Sequence, residues 1–137
     1  MGKKFLKTYE ILLRKAITDL RVAKNILEDF KNGETELDLE VVYFHLQQSA
    51  EKLIKTILDF HKILFPKIHD INELIDLLKE NDLPLFDNIE NLIPLSDYAV
   101  EGRYSILLDD ISDAQKYIDI LDRFICYVQT TDKLEVN

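Results

Sequence analysis

Three histidines, one cysteine and several paired carboxylates are the groups here with the chemistry to move protons, hold a metal or attack an electrophile. A di-iron site in a helical bundle needs a carboxylate three residues before a histidine, on one helical face. Val42, Leu58 and Pro66 stand at that spacing before His45, His61 and His69, so no Glu-x-x-His exists. His45 reads instead as a hydrogen-bonded residue at the core margin, and His61 as a surface residue. Cys126 lies beside an apolar stripe with no histidine near it in sequence, and reads as a small packed hydrophobe rather than a nucleophile. Glycines at positions 2, 33 and 102 alone cannot build a phosphate-cradling loop. The serines lack an elbow-type context, and Asp109-Asp110 suits the dipole of a helix start. These groups lead to no expected catalytic residue, metal or cofactor.

Two segments hold more polar chemistry than periodicity alone requires. One runs Phe44-His45-Leu46-Gln47-Gln48-Ser49-Ala50-Glu51-Lys52-Leu53-Ile54-Lys55, and the other runs Tyr98-Ala99-Val100-Glu101-Gly102-Arg103-Tyr104-Ser105. As plain structure, the first is a solvated polar stripe in which Glu51 and Lys55 give weak i,i+4 support. The second is then a helix end where Arg103 meets backbone carbonyls and Tyr104 packs on the bundle.

The elements that must position these residues are helical. Tyr9, Leu12, Leu13, Ala16, Leu20, Ala23, Leu27 and Phe30 recur at intervals of three and four, predicting a helix from about Phe5 to Phe30 that ends at Asn32-Gly33. A second helix is expected over Leu37–Leu64, with Val42, Leu46, Ser49, Leu53, Ile57 and Phe60 inward. Gln48, Glu51, Lys52, Lys55, Asp59 and Lys62 would then form its polar stripe, and Pro66 closes the segment. Asp70 and Glu73 predict a capping box for a short helix that stops near Asn81. A fourth segment, Asn88–Gly102, should kink or split at Pro94. Ser112 with Gln115 predicts the start of a last helix carrying Ala114, Ile118, Leu121, Ile125 and Val128 inward. Residues 1–4 and 130–137 read as frayed ends. Three long and two short helices with short loops imply an all-α up-and-down bundle, one domain over 1–137.

Composition agrees. Of 137 residues, 47% are hydrophobic and 31% charged, a globular balance, and three glycines with three prolines give too little punctuation for an all-β chain. A net charge of −9 repels nucleic acid, so direct contact would need a local basic patch. No apolar run approaches the ~20 residues of a membrane span. The first residues lack the apolar stretch of a signal peptide, and a single cysteine excludes an internal disulfide. A cytoplasmic protein with no membrane contact is the expectation.

Read in order, four pieces of this sequence resemble the HEPN family of small nucleotide-associated helical domains. They are Ala16-Ile17-Thr18-Asp19-Leu20-Arg21-Val22-Ala23, the Gln47-Gln48-Ser49-Ala50-Glu51-Lys52 run, Pro66-Lys67-Ile68-His69-Asp70-Ile71, and Arg103-Tyr104, where Ser105 replaces the proline of a frequent Arg-Tyr-Pro signature. The resemblance covers nearly the whole chain. It implies a helical bundle, commonly a homodimer, often paired with a separately encoded minimal nucleotidyltransferase in modules like toxin–antitoxin systems. Several branches of the family are metal-independent ribonucleases with an arginine followed four to six residues later by histidine. Arg103 is followed here by Tyr104, Ser105, Ile106, Leu107, Leu108, Asp109 and Asp110, and His69 is the group left to substitute in space.

The expected function is therefore a HEPN-type binding and assembly module with a nucleotide ligand and a nucleotidyltransferase partner. The alternatives are a ribonuclease toxin with a site across a dimer, and a structural partner that binds no nucleotide. Arg103 can grip phosphate bidentately and Tyr104 can stack on a base. Gln48, Glu51, Lys52, Lys55 and His69 are the further candidates for that cleft or interface. Homodimerisation is also expected from Val41, Tyr43 and Phe44, which crowd more than one face of the second helix.

Overall fold

The computed structural model describes residues 6–33, 39–99 and 111–131. Four α-helices and one 3₁₀ helix follow in order: α1 (Thr8–Lys31), α2 (Leu39–Phe60), α3 (Ile71–Glu80), the 3₁₀ helix (Ile89–Tyr98) and α4 (Ile111–Thr131). No strand occurs among the described residues, and the fold is an all-α helical bundle.

The three-and-four spacing does what it predicts. Leu13, Ala16, Leu20, Ala23 and Leu27 of α1 are buried against Val42, Leu46, Ala50, Leu53 and Ile57 of α2, within one apolar core. Small residues bring these two helices close, and Ser49 Oγ donates to the Ala16 carbonyl at 2.9 Å across the contact. Leu121, Phe124 and Val128 of α4 close the core from another side, with Phe124 stacked on Phe86 at 4.9 Å.

Helix ends depart from the sequence expectation in instructive ways. α2 stops at Phe60 rather than near Leu64, because Lys62 takes a left-handed φ of 60°. Its N–H donates to the Asp59 carbonyl at 3.0 Å and the Ile63 N–H to the Leu58 carbonyl at 2.9 Å. That pair of bonds is a Schellman termination, ordinarily signalled by glycine. α3 ends the same way at Asp82, φ 55°, with bonds Asp82 N–H to Lys79 O and Leu83 N–H to Leu78 O. At its start Asp70 caps, accepting from the Asn72 N–H at 2.8 Å, but Glu73 does not return the bond of a capping box; the Ile71 N–H donates to Ser96 Oγ at 2.9 Å. The last helix begins at Ile111, so Ser112 lies inside it and is not its cap, and it runs through Thr130 to Thr131.

The fourth segment does not split at Pro94: it runs as one 3₁₀ helix over Ile89–Tyr98. Ile89, Leu92, Leu95 and Tyr98 are buried at strict intervals of three, the period of a 3₁₀ helix, whose side chains at i and i+3 eclipse. The expected end at Gly102 lies outside the described residues. Tyr98, the last turn of this helix, stacks on Tyr43 of α2 at 4.9 Å. Tyr43 is 2% exposed, so it belongs to the core and not to an uncovered face; Val41 and Phe44 are half-buried. Cys126 is corrected as well: it is exposed on α4, because the inward positions go to Leu121, Phe124 and Val128.

Candidate functional site

Along α2, residues 43, 47, 51 and 55 lie one turn apart and form a single row. Tyr43 packs in the core, and above it Gln47 and Glu51 are buried, with Lys55 nearly so. The expected solvated stripe is thus wrong at Glu51 and Lys55: the connector between α2 and α3 folds back over them. Glu51 is the hub. Its Oε2 accepts from Lys55 Nζ at 3.0 Å, and its Oε1 lies 3.1 Å from both Gln47 Nε2 and His69 Nδ1. Gln47 Nε2 also donates to the His69 carbonyl at 3.2 Å, and Gln48 Nε2 donates to Gln47 Oε1 at 2.7 Å. Lys55 Nζ sits 5.7 Å from the centroid of the Phe65 ring, a cation–π contact with the same connector.

A second cluster lies beside the first, toward α1. Asp19 Oδ2 accepts from Lys52 Nζ at 2.5 Å, and its Oδ1 lies 3.0 Å from His45 Nδ1. Lys52 is three residues from Lys55 and four from Gln48, so the two clusters share one flank of α2. The bond from Gln48 to Gln47 links that flank to the Glu51 row.

Both clusters place a carboxylate between an imidazole Nδ1 and a lysine ammonium. A carboxylate that accepts from Nδ1–H fixes the tautomer and leaves Nε2 as the acceptor edge. The His69 side chain is 61% exposed, whereas that of His45 is 23% exposed at the α1–α2 margin. Every buried side-chain nitrogen and oxygen among the described residues has a hydrogen-bond partner. No group of three or more metal-ligating side chains occurs among them either.

Of the sequence candidates, Gln48, Glu51, Lys52, Lys55 and His69 come together on this flank of α2. Arg103 and Tyr104 lie outside the described residues. Asp19 and Gln47 were missing from the candidate residues. Asp19 announces itself faintly, as a carboxylate three residues after Ala16 and four before Ala23 on the inward stripe of α1. An acid there requires an internal partner.

Among the described residues no helix is long and apolar enough to cross a membrane. A family model described as the HEPN domain matches residues 9–131. The crystal structure of an archaeal HEPN homologue superposes with a TM-score of 0.66 at 22% identity, over 93% of this chain and 99% of that one. At that identity the likeness is one of fold. No curated protein sequence matches the chain.

Proposed function

The chain belongs to the HEPN domain family, and from that premise we propose that it is a nucleotide-associated binding and assembly module. In this reading it pairs with a minimal nucleotidyltransferase as one half of a toxin–antitoxin-like module, and it self-associates as a homodimer. The observation that carries the reading is the mutual engagement of the polar flank of α2. Asp19 with Lys52 and His45, and Glu51 with Gln47, Lys55 and His69, form two internally bonded networks, which suits a rigid platform. Arg103 and Tyr104 are proposed as the nucleotide contact, since the guanidinium is the group suited to phosphate and the phenol ring to a base. Calorimetry with nucleoside mono- and triphosphates, alone and with a minimal nucleotidyltransferase, tests both arms. Binding in the wild type that weakens in Arg103→Lys at unchanged melting temperature is the expected outcome. Absence of both nucleotide and partner binding leaves the plain structural role.

A second reading, a metal-independent ribonuclease, is favoured by one observation. Buried Glu51 orients an exposed His69 ring in the manner of a carboxylate–histidine pair that accepts a proton from a hydroxyl. Cleavage of RNA in chelator, abolished by His69→Gln, would establish it.

A further inference from the structure

The two large apolar side chains exposed among the described residues, Ile11 at 39% and Leu64 at 95%, fall at one end of the bundle. There α1 begins and α2 ends, joined by the edge-to-face contact of Tyr9 with Phe60 at 5.2 Å. Leu64 is not displaced by a loose backbone. The Schellman bonds of Lys62 and Ile63 fix the chain immediately before it.

The charges of this end differ from those elsewhere. Lysines on α2, α3 and α4 are spent on carboxylates: Lys52 on Asp19, Lys55 on Glu51, Lys79 on Glu90 and Lys116 on Asp113. Lys24 and Lys31 of the C-terminal half of α1 reach Asp122 and Gln115 of α4. Arg14 and Lys15 near the start of α1, and Lys62 and Lys67 on the connector, have no ion-pair partner among the described residues; nor has Arg21, further along α1. From Phe60 to His69 the sequence contains no acid. Of the neighbouring carboxylates, Glu10 and Asp70 are committed to the backbone amides of Lys7 and Asn72, and Asp59, half-buried in the last turn of α2, forms no ion pair with Lys62. Among the described residues, cations without an ion-pair partner thus stand beside both exposed large apolar side chains, in a chain of net charge −9.

We propose that this end, centred on Leu64 with Ile11, Arg14, Lys15, Lys62 and Lys67, docks a protein partner that presents carboxylates around an apolar recess. The occupant follows from the chemistry. Unpaired cations select an acidic surface, and an aliphatic side chain that stands clear of its own fold needs an apolar recess to fill. A phosphate backbone satisfies the cations but has no use for Leu64 and Ile11, and the overall negative charge opposes it. The inference rests on the partner reading above and adds where the partner sits.

The test is calorimetric titration of the full chain with a minimal nucleotidyltransferase, using Leu64→Asp and the double variant Lys62→Glu, Lys67→Glu. Lys79→Glu and Lys116→Glu serve as controls. The first two should weaken binding by about tenfold or more and the controls by less than about twofold. Because all these side chains are exposed or half-exposed, melting temperatures should stay near wild type. Unchanged binding in both end variants overturns this surface while leaving the partnership standing. No binding by the wild type overturns the partner reading, and this inference with it. Sedimentation in which Leu64→Asp converts a homodimer to monomer assigns the surface to a second copy and also overturns the proposal.

Discussion

The two carboxylate–histidine–lysine clusters are built from the same three groups and do different work. In the Asp19 cluster the acid comes from α1 and both bases from α2, so the bonds run between helices; all three side chains keep between 13% and 23% exposure. In the Glu51 cluster the acid and lysine share one helix at i,i+4, with side-chain exposures of 6% and 11%, and the histidine arrives from the connector. Water reaches the first cluster more than the second and partly screens it, leaving it the weaker brace. Burial makes the second costly to assemble and costlier to disrupt, since removing one ion strands the other. Burial, more than the identity of the groups, sets what each cluster contributes.

Lys55→Ala is the strongest attack on that contrast. It leaves Glu51 buried with only Gln47 and His69 to answer its charge, and should cost about 3 kcal/mol, a fall in Tm of roughly 10 °C. Glu51→Gln combined with Lys55→Met, which removes both charges and keeps the Oε1 acceptor, should recover much of that loss. At the less buried cluster, Lys52→Ala should cost only about 1 kcal/mol, measured by the same urea or thermal unfolding. If the two lysines prove equal, burial does not distinguish the clusters. His69→Gln should cost less than about 1 kcal/mol, since the ring is mostly in water and glutamine can still donate to Glu51.

The helices and their inward faces were legible because amphipathic spacing is a direct image of burial. The 3₁₀ helix was equally written in the sequence, as Ile89, Leu92, Leu95 and Tyr98, but at a period of three that Pro94 drew attention away from. The candidate site was legible only as a list of residues. Helical spacing places Glu51 and Lys55 on a polar face. Nothing in that spacing shows that the connector after α2 will fold back, cover that face and lend it His69. The role of Asp19 is not visible in the sequence, because its partners lie 26 and 33 residues away on another helix.

The smallest effect probes the hinge from which the connector departs. Lys62 and Asp82 both terminate helices in the left-handed region, at φ 60° and 55°, where a residue with a Cβ costs roughly 1–2 kcal/mol. Glycine removes that strain but loses more freedom on folding, by roughly 0.5–1 kcal/mol. The net gain for Lys62→Gly should therefore be a few tenths to about 1 kcal/mol. Asp82→Gly should gain less, because aspartate tolerates this region better than lysine. The two substitutions also separate the clusters. Lys62 opens the connector that carries Phe65 and His69 to the buried Glu51 row, whereas Asp82 leads to neither cluster. If the row holds the connector, Lys62→Gly should raise Tm slightly and leave amide exchange across 63–69 as slow as before. Faster exchange there, with no gain in Tm, would mean that the backbone at Lys62 holds the connector in place, and that Glu51 merely receives a histidine already positioned.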